Sequence, residues 1–183
     1  MFKFKTLSIL LLAGALFTLD VAAQDLHESR RLSPLGMARA FVGDTYVKVT
    51  YGQPYMRGRD NIFGEDGAMH PNGKVWRFGA NEPTELTLGG DLKVGDAVVP
   101  AGTYSIFATP GADSWMVHIN DFRGGGAGGY KADNNVASFE VPAMTKEEDR
   151  DQFGIALEEV EGGLHMVAGW TNWEIRVPIM PAN

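Results

Sequence analysis

The chain contains no cysteine. That excludes disulfides and the usual lipid attachment of bacterial envelope proteins, so an exported form must hold itself together by its core alone. It has no Asn-x-Ser/Thr sequon, in keeping with a bacterial periplasmic or secreted protein. There is no surplus of positive charge: 23 acidic residues outnumber 16 basic ones for a net charge of −7, a balance that repels phosphate backbones and anionic lipid and argues against nucleic-acid or membrane-surface partners. No apolar run reaches the roughly twenty residues that a membrane helix needs. A Gly-x-Ser-x-Gly nucleophile elbow, a Gly-x-x-x-x-Gly-Lys-Ser/Thr loop and a dinucleotide fingerprint are all missing. The glycine-rich run at residues 124–129 is followed by no helical pattern and reads as a flexible loop, not a phosphate cradle.

What is present begins with an address. Lys3 and Lys5 precede an uncharged apolar run over residues 7–19, and Val21-Ala22-Ala23 offers small residues at a cleavage site. This predicts a signal peptide over residues 1–23, cut after Ala23, and a mature protein that is soluble in the periplasm or medium. Residues 24–36 are polar and read as a lead-in. Residues 37–183 read as one β domain, a length that suits a single core.

From Ala38 on, the hydrophobic period is two. Val47, Val49 and Tyr51 share a face, and Gly43-Asp44 before them predicts a hairpin with a type II′ turn. Pro54 ends the pairing. Residues 55–72 form a long connection, pinned by Ile62 and Phe63. Strands are expected at residues 85–88, 92–94, 103–109, 115–119, 136–141, 153–161, 164–170 and 173–179. Bulk on both faces of residues 103–109 marks a central strand. Gly162-Gly163 signals a second hairpin. Residues 145–152, with Thr145 as cap and Glu147 and Glu148 behind it, are the one expected helical turn. About ten short strands with glycine or proline at the joints predict an all-β fold, a single antiparallel β-sandwich or partly closed barrel with little helix.

The four histidines, His27, His70, His118 and His165, show no ligand spacing. His118 and His165 lie on expected strands and would need Glu140 or Glu174 to hold a metal; ordinary strand histidines are the simpler reading, and no metal or cofactor is expected. The chemistry concentrates in Gly73-Lys74-Val75-Trp76-Arg77-Phe78-Gly79-Ala80-Asn81-Glu82. With Arg57 and Arg59 from the long connection, Arg77, Trp76, Asn81 and Glu82 make a candidate binding site. Guanidinium forks suit carboxylate, phosphate or sulfate, an indole suits a sugar face, and Asn81 and Glu82 suit hydroxyls. The expected ligand is a small anion or carbohydrate. The structural alternative pairs Arg77 with Glu82 or Asp44 and puts Trp76 in the core. An enzymatic alternative makes Glu82 an acid or base buried beside Trp76, with Asp44, Asp60 or Glu85 as a second carboxylate. A third reading is a purely structural or partner-binding domain with an exposed apolar patch.

Gly43-Asp44-Thr45, Pro54, Gly58-Arg59, Phe63-Gly64, Gly73-Lys74-Val75-Trp76-Arg77, Gly79-Ala80-Asn81-Glu82 and Pro100-Ala101-Gly102-Thr103-Tyr104 follow one another in an order that resembles the exported bacterial family known as domain of unknown function 2911. The resemblance runs from about Ser33 to Ile179. It implies export, a β-rich domain and no assigned activity, and it carries no catalytic residue over. The chain departs from the family pattern at Gln53, where members often have arginine, and near Tyr130, where they tend to have tryptophan.

Overall fold

The structure is a computed structural model that describes residues 31–123 and 129–182. The expected signal peptide, its expected cut after Ala23 and the glycine run at 124–128 lie outside the described residues. Strands β1 (Leu35–Val42) and β2 (Thr45–Gly52) make the first hairpin, in which Val42 pairs with Thr45 across Gly43-Asp44. Gly43 takes φ 57° and Asp44 has no positive φ, as a type II′ turn requires. Val47, Val49 and Tyr51 are buried on the expected face. Along β1 the opposite alternation leaves Leu35, Met37 and Phe41 exposed.

Strands β3 (Phe63–Gly64) and β4 (His70–Pro71) are a short parallel pair inside the long connection, with Ile62 buried as its anchor. Then follow β5 (Thr84–Leu88), β6 (Leu92–Val94), β7 (Ala97–Val99), β8 (Gly102–Thr109), β9 (Ser114–Asn120), β10 (Asn135–Val160) and β11 (Gly163–Pro181). Nine of the eleven form one antiparallel sheet in the order β1-β2-β5-β8-β9-β10-β11-β6-β7. The sheet is open, but it folds over its own core. β10 pairs with β9 through its first part and with β11 through the remainder. The chain leaving β2 meets β10 again: Tyr55 bridges Gln152, Met56 N–H donates to Asp151 O at 2.7 Å, and Phe153 N–H donates to Pro54 O at 2.9 Å. The all-β, antiparallel class and the scarcity of helix are as the sequence predicts. β8 has Tyr104 through Ala108 buried, as befits a strand covered on both sides.

Two features differ from the sequence reading. The expected helical turn at 145–152 is extended and belongs to β10. Its residues include no apolar stripe at helical spacing, so nothing pins a helix to the core, whereas strands on either side continue the ladder. The mismatch is absorbed by bulges: five steps from Thr145 to Arg150 on β10 face two steps from Trp173 to Thr171 on β11. The surplus residues are exposed. The second difference is length. β10 and β11 each run through a break that the sequence suggests, and β11 turns at Thr171, a buried β-branched residue at φ 54°.

The segment before β5 is pressed onto β2. A Cβ at Gly52 would stand 2.0 Å from Ala80 O, and backbone cannot retreat from it as a side chain could. Gly52→Ala is expected to lower stability by about 3 kcal/mol, read as a fall in urea midpoint at unchanged slope. An unaltered midpoint would mean that this contact is not tight in solution.

Candidate functional site

Residues between β4 and β5 form an arch that turns side chains alternately in and out. Trp76 is tied to β8 by paired backbone bonds with Ala108, 2.7 and 2.9 Å. Phe78 and Asn81 adopt left-handed φ values of 55° and 66°, uncommon for residues with a Cβ. The turn is held by Trp76 Nε1–H on Gly79 O (3.1 Å), by Thr84 N–H on Arg77 O (3.1 Å) and by the Thr84 hydroxyl on Phe78 O.

Trp76 and Phe78 point inward. Trp76 is 3% exposed and its ring meets those of Phe63, His70, Phe78, Phe153 and Trp170 at 4.9–6.0 Å. Such clusters are stabilised by area burial and edge-to-face contact. The indole therefore has no open face to stack on a ligand; the structural alternative for this residue is the one seen. Arg77 pairs with neither Glu82 nor Asp44. Its Nη1 donates to Asn81 O at 2.5 Å, and Asn81 Nδ2 donates to Ser33 O at 3.0 Å.

Arg59, His70, Arg77, Asn81 and Trp170 line a cleft of about 310 Å³, together with the Gly79-Ala80 backbone, Ser33, Pro54 and Met69. Arg59 is fixed by Nε on Met56 O (2.9 Å) and Nη2 on Tyr55 O (2.7 Å). Neither guanidinium has a carboxylate partner among the described residues, and no Asp or Glu lines the cleft. Three of the six sequence candidates, Arg59, Arg77 and Asn81, thus come together. Arg57 lies apart, donating to Leu32 O at 2.5 Å. Glu82 also lies apart: both its oxygens accept from Arg31 Nη1 at 2.7 Å, its side chain is 54% exposed, and it borders a different cleft with Thr50 and Glu85. The buried setting that the acid–base alternative requires of Glu82 is absent.

His70 and Trp170 were not singled out by sequence reasoning. His70 sits on β4 with its ring 4.9 Å from Trp76, 5.6 Å from Phe63 and 6.1 Å from Trp170, and its ring nitrogens make no hydrogen bond among the described residues. Burial, then Arg77, then Arg59 lower its pKa to about 4, because each disfavours a third positive charge there. The imidazole is neutral at pH 7. A signal existed: a histidine in an arginine-bearing loop of unusual length.

His118 is an ordinary strand histidine. Thr109 Oγ1 meets its Nε2 at 3.0 Å and Ser138 Oγ its Nδ1 at 2.9 Å, and burial lowers its pKa. Glu174 is engaged by Lys146 and Arg176, and Glu140 by the Ser114 hydroxyl. Among the described residues no group of three His, Cys, Asp or Glu is placed to hold a metal, and no helix is long and apolar enough to cross a membrane.

A lowered histidine pKa ties stability to pH with a definite sign. The folded value of about 4 lies below the unfolded 6.5, so His70's contribution is complete above pH 6.5 and is lost as pH falls toward 4. His70→Asn should flatten the wild-type decline in urea midpoint between pH 6.5 and 4.5, where unfolded histidine binds the extra proton. Identical slopes for the two proteins would show that the ring is not held neutral.

No curated protein and no solved structure matches the chain significantly. A family model described as a protein of unknown function, DUF2911, matches residues 33–179, and the chain belongs to that family.

Proposed function

We propose that this domain is a non-enzymatic, exported binding protein that holds a small anionic ligand, a carboxylate, sugar acid or inorganic oxyanion, in the cleft between Arg59, His70 and Arg77. The observation that carries the reading is the pair of guanidiniums that have no carboxylate partner among the described residues, in a protein of net charge −7. Acids are plentiful in this chain, and yet none of those among the described residues lines the cleft. Both arginines are anchored through backbone carbonyls, which orient a guanidinium without cancelling its charge. Arg77 Nε and Nη2 make no hydrogen bond among the described residues, which leaves their N–H groups for a fork-like pair with two oxygens. Trp170, Met69 and Pro54 supply an apolar wall for the body of a small organic acid.

The alternative as a purely structural or partner-binding domain has the exposed Leu35, Met37 and Phe41 of edge strand β1 in its favour. The cleft carries the stronger argument, because neighbouring like charges are costly without a counter-ion. Export is supported by the residues at 1–23 that read as a signal peptide.

Calorimetric titration of the purified protein with D-glucuronate, sulfate and neutral sugars tests this. The anions are expected to bind, and Arg77→Ala to weaken them about tenfold or more, since a charge-assisted bond contributes about 1.5–3 kcal/mol. The thermal midpoint of that variant should move little, as only one exposed bond to Asn81 O is lost. Equal affinity in wild type and variant, or no heat with any of these probes, refutes the site.

A further inference from the structure

Within the cleft, an imidazole whose nitrogens make no hydrogen bond among the described residues stands among two guanidiniums and aromatic rings. The groups that face it can be named element by element. The long connection contributes Arg59, the arch contributes Arg77 and the Asn81 amide, β3 contributes Phe63, and β11 contributes Trp170; Trp76 lies against the ring from the core side. Among the described residues no carboxylate faces it. The cleft therefore holds two fixed positive charges and a third group that is basic by nature but kept neutral.

We propose that the ligand of this cleft is an oxyanion taken up together with one proton, and that the proton settles on His70. This rests on the reading of the cleft as a ligand site. An oxyanion beside Arg59 and Arg77 offsets the repulsion that keeps the ring neutral and accepts an N–H bond from it once it is charged. The proton comes from solvent and attaches to a ring nitrogen, and no bond in the ligand is made or broken. By reciprocity, what the anion does for the proton the proton does for the anion, so affinity rises as pH falls. A neutral sugar in the same place has the opposite signature. It removes water from the ring without bringing charge, makes protonation harder still, and binds no better in acid. The proton linkage thus selects a ligand class: a group with at least two charged oxygens, whose body rests on Trp170 and Met69.

The size of the effect follows from the apo value. His70 at about 4 is almost wholly neutral at pH 5. If the bound anion returns the ring to about 6, near its unperturbed range, affinity climbs about tenfold between pH 7.5 and pH 5.

The experiment uses sulfate and D-glucuronate, which keep their charge across that interval, with methyl glucoside as the neutral control. Affinities are measured by calorimetry at pH 7.5 and pH 5 in buffers of different ionisation enthalpy, and the His70 ring is followed by NMR with and without anion. Expected are tighter anion binding at pH 5, net proton uptake on binding, and a His70 titration moved upward by the anion. In His70→Asn, checked for folding at pH 7.5, the affinity for glucuronate should not change between the two pH values. If an anion binds and Arg77→Ala weakens it, but affinity and the His70 titration are indifferent to pH and anion, the proton linkage is wrong and the site stands. If methyl glucoside binds as well as the anions, the ligand class is wrong. If neither anion binds at either pH, the linkage and the site fall together.

Discussion

Ala80 O lies so near the backbone of Gly52 that no side chain can stand between them, and much else in the molecule follows from that contact. It lets the arch between β4 and β5 lie flat on β2, with Ala80 N–H reaching Gly52 O at 3.3 Å. An arch so held must reverse direction within a few residues, which is why Phe78 and Asn81 take left-handed conformations that a Cβ disfavours. Burial of Phe78 and of Trp76 at the core side offsets that strain, because large rings removed from water contribute several kcal/mol between them. The same turn that sends Trp76 inward sends Arg77 outward. Core and cleft are thus two sides of one backbone constraint.

Charge in the cleft is handled differently from charge in the protein's ion pairs. Arg176 is bonded to both Glu158 and Glu174, Lys146 joins Glu174, and Arg31 grips Glu82. In those places opposite charges neutralise one another, at modest gain where they are exposed. Arg59 and Arg77 are instead fastened by the carbonyls of Tyr55, Met56 and Asn81. A carbonyl fixes the rotamer and leaves the charge, so the positive potential is preorganised and needs no rearrangement when an anion arrives. His70 lies within that potential: burial lowers its pKa most, and both arginines add to the lowering.

The fold was legible because strand signals are local. Alternation at Val47, Val49 and Tyr51, the Gly43-Asp44 turn and the two-sided bulk of β8 can each be read within a window of a few residues. Residues 145–152 misled for the same reason: a cap and acids near it are a local helix signal, while the ladders from β9 and β11 that keep β10 extended come from far along the chain. The site was half legible. The Trp76–Glu82 block lies where the chemistry is, but chain neighbours diverge in space. Glu82, one residue after Asn81, turns away to Arg31, and the indole facing the cleft is Trp170, not Trp76. His70 acquires its character only from Trp76, Trp170 and two arginines that the fold brings around it.

Trp170 reaches the cleft through another exception to regular geometry. Bulges on β10 leave β11 to bend at Thr171, whose φ of 54° is a strained choice for a β-branched residue, at a cost on the order of 1–3 kcal/mol. At that bend consecutive residues part company. Trp170 borders the arginine cleft, and its indole N–H is fixed on Asp151 O at 3.1 Å. Thr171, Asn172 and Trp173 border a second, polar cleft with Asp60 and Asp149. On the facing loop the same division occurs between Arg59 and Asp60, one residue to each cleft. The acid that could have neutralised Arg59 from the neighbouring position is therefore turned to the other side. Separation of adjacent opposite charges by a loop and a bent strand is what keeps the cleft positive in an acidic protein.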